Sequence, residues 1–298
     1  MTHLRLASAE EARVILEAED DFTRALGGFD RSFRLRKTTP VTDAEVRRFF
    51  GEQALDFTAD EAKAWNEAIA EVSRAAKAIE DALPAEVLVL KTTGREERGH
   101  AYTRQNAIVL PSSRVQSWRG ERAVYLLAHE LFHVASRASR KVRDATYELL
   151  GFGSITPITL PPELDDRRQT NPDAYDTTHC LRLGDRTVVP LMVSSLPIAQ
   201  AATRSSVLDV APVRLLAIDP DDGEALRDAD GALLLIDPES TEWAERIGRN
   251  TRYTLHPEEV LADNHALLVR KALGHSVTVA DPEFLAAFEV ALRTRGSA

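Results

Sequence analysis

The sequence predicts an α+β fold, and three stretches carry that expectation. The first eighty or so residues read as helical, Ala85 to Lys91 reads as a buried strand, and Ile155 to about Pro238 alternates short strands with turn residues. With 298 residues and 44% hydrophobic content the chain can bury a sizeable core, as one large unit or two lobes. The expected organisation is a helical N-terminal region over 1–84 and a second part over 85–298, with a β-rich insertion at about 155–240.

Taken in order, helix starts are marked by Ser/Thr-x-x-Glu at Ser8/Glu11, Thr42/Glu45 and Thr58/Glu61. The third opens a long helix toward Leu83-Pro84, and its Trp65, Ile69, Val72, Ala76 and Ile79 recur at helical spacing, a core-facing stripe. Ala85–Lys91 then reads as the first strand of the next part, and Gly99–Pro111 as two short strands around a polar turn. Gly120 marks the start of a helix through Arg122–Arg137, which has no Pro or Gly and carries an apolar stripe at Val124, Leu127, Leu131 and Val134. A second helix is expected near Val142–Leu150, ended by Gly151. Beyond it, Cys180–Val193 reads as a hairpin about Gly184-Asp185, with further strands at Val213–Ile218 and Ala232–Ile236. The Asp-rich segments 219–223 and 228–231 lack calcium-loop spacing and read as surface turns. Pro257 suits the first position of a last functional helix.

The chemistry concentrates in His129-Glu130-Leu131-Phe132-His133. On a helix, two imidazoles four residues apart lie on one face and can grip one metal ion, and Glu130 then stands beside the open coordination position as a base. Two histidines and a glutamate in an apolar helix are costly to bury without a metal or hydrogen bonds. Zinc is therefore the expected cofactor, and a catalytic zinc site wants a third protein ligand. Glu259 is preferred, because Asp263 lies four residues on and can accept the N–H of a ligating imidazole. Glu258 is the rival, but its residue at the same spacing is Ala262, which can orient nothing.

This pattern, HExxH on one helix and Glu-x-x-x-Asp on a later one, resembles the gluzincin (thermolysin-like) zinc metallopeptidases. The wider chain is also similar to a group of bacterial metallopeptidases, mostly uncharacterised, through Lys91-Thr-Thr-Gly94, Ala101-Tyr-Thr-Arg104, HELFH, Gly151-Phe152, Thr170-Asn-Pro-Asp173 and His256–Asp263. The resemblance implies a zincin-like core, a small mixed sheet with an edge strand beside the active-site helix, and a peptide or protein substrate. It implies that Ala101, Tyr102 and Thr103 form the edge that pairs with the substrate backbone, and that 170–173 borders the cleft. The interval between His133 and Glu259 is far longer than in thermolysin, and no clear counterpart of its transition-state histidine is present. Tyr175, His179, Tyr253 and His256 are all possible oxyanion donors, with Tyr253 and His179 ranked first.

Composition narrows the partners. The formal charge of −10 argues against nucleic acid, and Arg137, Arg140, Lys141 and Arg143, the densest basic cluster, read as solvating and capping the helix end. One cysteine excludes an internal disulfide and fits a reducing compartment; with no signal-like or membrane-spanning apolar run, a cytoplasmic location is expected. Cys180 beside His179 makes a poor nucleophile pair, since neighbours on a strand face opposite ways. The alternative outside enzymes is a regulatory or peptide-binding protein on the same fold, with zinc structural or absent.

Overall fold

The expected hydroxyl–carboxylate pairs open helices Ala9–Glu17, Asp43–Gly51 and Ala59–Ala75, each with the reciprocal backbone bonds in place. The structure, a computed structural model, describes residues 2–204 and 206–295. It is mixed α+β, with many helices around two small sheets.

The first sheet holds β1 (His3–Leu6), β2 (Ala54–Leu55), β3 (Glu86–Thr92), β4 (Tyr102–Arg104) and β5 (Ala107–Pro111). Its order is β1-β3-β5-β4, with β2 also on β3; β1 and β5 run parallel to β3, while β4 returns antiparallel along β5. The N-terminal stretch is therefore not helical throughout, and β3 is not the sheet's first strand. A four-residue segment paired residue by residue with Glu86–Val89 has too little length for its alternation to stand out.

The unbroken apolar run of β3 has a simple cause, burial on both faces. Val87 and Val89 pack with Trp65, Val72, Leu127 and Leu261 on one side, while Leu88 and Leu90 pack with Leu16, Phe22 and Phe50 on the other. Each such side chain stabilises the fold by about 1.5–3 kcal/mol relative to exposure. Helix Glu121–Ala138 lies against β4 and β5, and helix Pro257–Ala272 packs on that helix. The histidine helix, Glu121–Ala138, starts after Gly120, whose φ of 52° is in the region that favours glycine. The acidic helix, Pro257–Ala272, begins with Pro257 in its first turn, and His256 caps it by accepting from Glu258 N at 3.2 Å.

The second sheet is antiparallel: β6 (Phe152–Ser154), β7 (Arg168–Gln169), β8 (His179–Leu183), β9 (Arg186–Val193), β10 (Val213–Ile218) and β11 (Leu235–Ile236), in the order β11-β10-β9-β8-β6 with β7 on β9. The β8–β9 hairpin turns at Gly184, φ 59°, as its sequence suggests. Of the expected 232–236 strand, Leu235 and Ile236 pair with β10, and Leu233 makes an isolated bridge with Arg227. In the Asp-rich turns, Asp219 and Asp228 accept backbone N–H bonds from residues just after them. Among the described residues no helix is long and apolar enough to cross a membrane.

A buried ionic cluster ties the N-terminal helices to this second sheet. Arg34, on helix Gly28–Leu35, bonds Asp30 at 2.7 Å, Glu97 at 2.6 Å and the Thr170 carbonyl at 2.7 Å. Asp30 in turn accepts from Thr170 N and Oγ1, both at 2.7 Å. Asp30, Arg34 and Thr170 are each at most 3% exposed, and Glu97 only 6%.

Candidate metal centre

Helical spacing brings His129 and His133 onto the side of the histidine helix that meets the acidic helix, their ring centroids 4.9 Å apart. Each ring is held from behind by a carboxylate. His129 Nδ1 lies 2.9 Å from Asp263 Oδ1, and His133 Nδ1 lies 3.1 Å from Glu258 Oε1. With Nδ1 carrying the proton toward its carboxylate, both Nε2 lone pairs are left free, the tautomer that metal ligation requires. They converge on Glu259 Oε2, at 3.2 Å from His129 and 3.7 Å from His133.

That triangle suits a metal. An ion with tetrahedral bonds of about 2.1 Å holds its ligand atoms about 3.4 Å apart, between the two separations observed. Two imidazoles and a carboxylate are also the donor set expected for zinc. The second oxygen of Glu259 accepts from Asn171 Nδ2 at 2.7 Å, so only one is turned toward the histidines. Asp263 is fixed as well, accepting from Tyr125 Oη and Thr251 Oγ1, each at 2.5 Å.

The electrostatics point the same way. Burial opposes charge on both rings, yet hydrogen bonds to Asp263 and Glu259 raise His129 well above its ordinary pKa. At His133 the same opposition is overcome by Asp173, the Glu258 bond and Glu259, which lift it to about 9. Burial would raise Glu259, but the His129 bond and the two ring charges pull it down to about 2. The group is thus an acidic pocket that collects positive charge, as protons or as a divalent ion.

Glu130 stands apart from its neighbours. It is 3% exposed, and its Oε2 has no hydrogen-bond partner among the described residues. Burial first, and then Asp173, raise its pKa to about 8. An unpartnered buried carboxylate oxygen is costly unless a ligand or water meets it. Asp173 sits close by, such that Glu130, His133 and Asp173 form a second cluster with ligand atoms within 4.8 Å of one another. Its Oδ1 accepts from Thr103 N at 2.9 Å and from Thr103 Oγ1.

A cavity of about 380 Å³ opens over these groups, lined by His129, His133, Glu259, Glu130, Asp173 and Tyr253. Tyr253 is 38% exposed, and the charge of Glu259, then burial, raise its pKa, so its hydroxyl stays protonated. Ala101 and Tyr102 line the same cavity, whereas Thr103 opens onto another and has its outward N–H already bonded to Asp173.

His179 is not brought to the triad. Its ring meets that of Tyr147 at a tilt with centroids 4.5 Å apart, bonds Asp144 at 3.0 Å, and lines a separate cavity with Arg137, Arg140 and Arg143. Register explains this: Ser154 pairs with His179 across β6–β8, turning the ring toward the helix that follows the histidine helix. His256 is a helix cap with a pKa lowered to about 4 by burial, and Tyr175 packs near Phe22. The arginines do more than solvate a helix end. Arg137 donates to the carbonyls of Gln105 and Pro172, and Arg143 pairs with Asp176 at 2.7 Å. Burial raises the Cys180 thiol, the opposite of what a nucleophile needs.

Three contributors escape a reading by spacing alone. Glu258 is not a spare ligand but the partner of His133, also bonded by Ser136 Oγ at 2.9 Å and Tyr147 Oη at 2.8 Å. Adjacent residues on a helix diverge by about 100°, so Glu258 and Glu259 serve different atoms of the histidine pair. Asn171 and Asp173 were marked only through the segment 170–173. None of the protein families, curated proteins or solved structures compared with the chain matches it.

Proposed function

We propose that the chain is a zinc-dependent metallopeptidase of gluzincin type on a zincin-like core, with His129, His133 and Glu259 as metal ligands. The observation that carries this reading is the convergence of two Nε2 atoms and one Glu259 oxygen, each imidazole backed by its own carboxylate, beside a buried carboxylate with a free oxygen. A purely structural cluster has no need to leave Glu130 Oε2 unpaired.

Zinc, when bound, would polarise the scissile carbonyl and make the attacking water more acidic. Glu130 accepts that water's proton on its carboxylate and passes it to the leaving amine, a role suited to a base whose pKa is about 8 before any metal is present. Asp263 and Glu258 keep the imidazoles in one tautomer and orientation. Tyr253, protonated and lining the cavity, donates to the oxyanion. Ala101 and Tyr102 offer the edge along which an extended peptide lies.

Changing Glu130 to Gln keeps the ligands and removes the base. Zinc should remain bound at one ion per chain while peptide turnover falls by at least about 100-fold. Parental turnover by the variant on a confirmed substrate would end the proposal.

One observation favours a second reading, a non-catalytic peptide-binding protein. Asp173 shares His133 with the triad in a second group of possible ligands and occupies the Thr103 N–H. Cobalt substitution separates the two: a spectrum unchanged by added peptide or hydroxamate, together with no turnover, supports the filled site.

A further inference from the structure

We propose that Arg114 recognises a carboxylate on the substrate, so that the cavity selects acidic peptides or free C-termini; this rests on the peptidase reading above. Arg114 lies on the short helix Ser112–Ser117 and lines the cavity that holds His129, Glu130 and Glu259. Among the described residues its guanidinium makes no hydrogen bond and no ion pair. Of the acids lining the cavity, Glu97 is paired with Arg34, Asp173 with Thr103, and Glu259 and Asp263 with His129, while Glu130, the base proposed above, makes no bond to Arg114.

The side chain nevertheless has a support. Its guanidinium carbon lies over the Trp118 ring, 4.5 Å from the centroid, and Trp118 lines the same cavity. Stacking uses the face of the guanidinium, while its five N–H donors lie in the plane and stay free for a planar, bidentate acceptor. A carboxylate is the acceptor of matching shape and charge. His100, also in the lining, is held toward its neutral form by burial and by Arg114, which leaves the arginine as the fixed positive charge there. Apolar walls from Leu126, Met192 and Leu255 would take the uncharged remainder of the ligand.

The carboxylate could end a chain or belong to an Asp or Glu side chain, and one set of probes distinguishes them. Three N-acetylated tripeptides are titrated calorimetrically: alanyl-phenylalanyl-alanine as the free acid, the same as its amide, and alanyl-phenylalanyl-aspartate as its C-terminal amide. They are added to the zinc-loaded Glu130→Gln chain and to the metal-stripped parent, so that neither cleavage nor the ion alone explains the result. At least one carboxylate probe should bind about tenfold more tightly than the neutral amide in both forms. Which one does so identifies the source. Arg114→Gln should abolish the preference, and Arg114→Lys, which keeps charge without the fork, should retain part of it. Equal binding of all three probes to the parent, or a preference that survives in folded Arg114→Gln, overturns the proposal. A chain that prefers carboxylates through Arg114 but cleaves no peptide when loaded with zinc loses the peptidase reading and keeps this one.

Discussion

Replacing Glu258 with Gln removes the charge from a carboxylate that is 1% exposed and receives bonds from His133 Nδ1, Ser136 Oγ and Tyr147 Oη. The amide has one acceptor oxygen where the acid has two. If that oxygen faces His133, the amide nitrogen meets two hydroxyls, which can rotate to accept from it. If it faces the hydroxyls, the amide N–H points at His133 Nδ1 and forces the proton onto Nε2, where it blocks a metal. Either way the charge behind the ring is lost, and a hydrogen bond to a charged group exceeds a neutral one by about 1 kcal/mol. Together with the lost basicity of the imidazole, zinc affinity should weaken about 10- to 100-fold, or roughly 1.4–2.7 kcal/mol. Competition against a chromophoric chelator measures it, and thermal unfolding of the metal-free chain runs beside it as the control for packing. An affinity within twofold of the parent, with a lowered melting temperature, would refute the reasoning and leave Glu258 as a prop between helices.

Three more outcomes are expected. Zinc binding at pH 7 should release protons, because both histidines are protonated there in the metal-free chain, His133 with a pKa of about 9; calorimetry in buffers of different ionisation enthalpy counts them, and apparent affinity should rise with pH up to about 9. Asp173→Asn keeps an acceptor for Thr103 but removes the charge that, after burial, raises Glu130; the acidic limb of the kcat/KM profile should move to lower pH, and an unmoved limb counts against Glu130 as the base. Glu96, buried without a partner for Oε2, has its pKa raised by burial to about 7. A folded-state pKa above the unfolded value means that stability is lost as pH rises from about 4.5 to 7, by up to about 3 kcal/mol. Glu96→Gln should therefore raise the melting temperature at pH 8 and change it little at pH 4.5.

What the sequence made legible was local. The histidine helix declares itself through 3.6-residue periodicity, the helix starts through pairs three residues apart, and the β8–β9 hairpin through Gly184-Asp185. What it hid depends on distant register. β1 exists because it aligns with residues more than eighty positions later. Glu258 acquires its partner from the way two helices cross, not from anything four residues away on its own helix. Asp173 reaches Thr103 across seventy residues, and His179 faces away because of where β8 starts to pair.

The cluster of Asp30, Arg34 and Glu97 around Thr170 bears on whether the chain divides into modules. Thr170 is one residue from Asn171, which bonds Glu259, and three from Asp173, which lies beside Glu130. A cut at Leu83-Pro84 would remove Asp30 and Arg34 together, leaving Glu97 without its arginine and both Thr170 donors without their carboxylate. The wall opposite the histidines would lose its anchor although no residue of the triad had been touched. The N-terminal helices therefore belong to the site's foundation, and a shortened chain carrying every ligand would still lack the surface against which they are aligned.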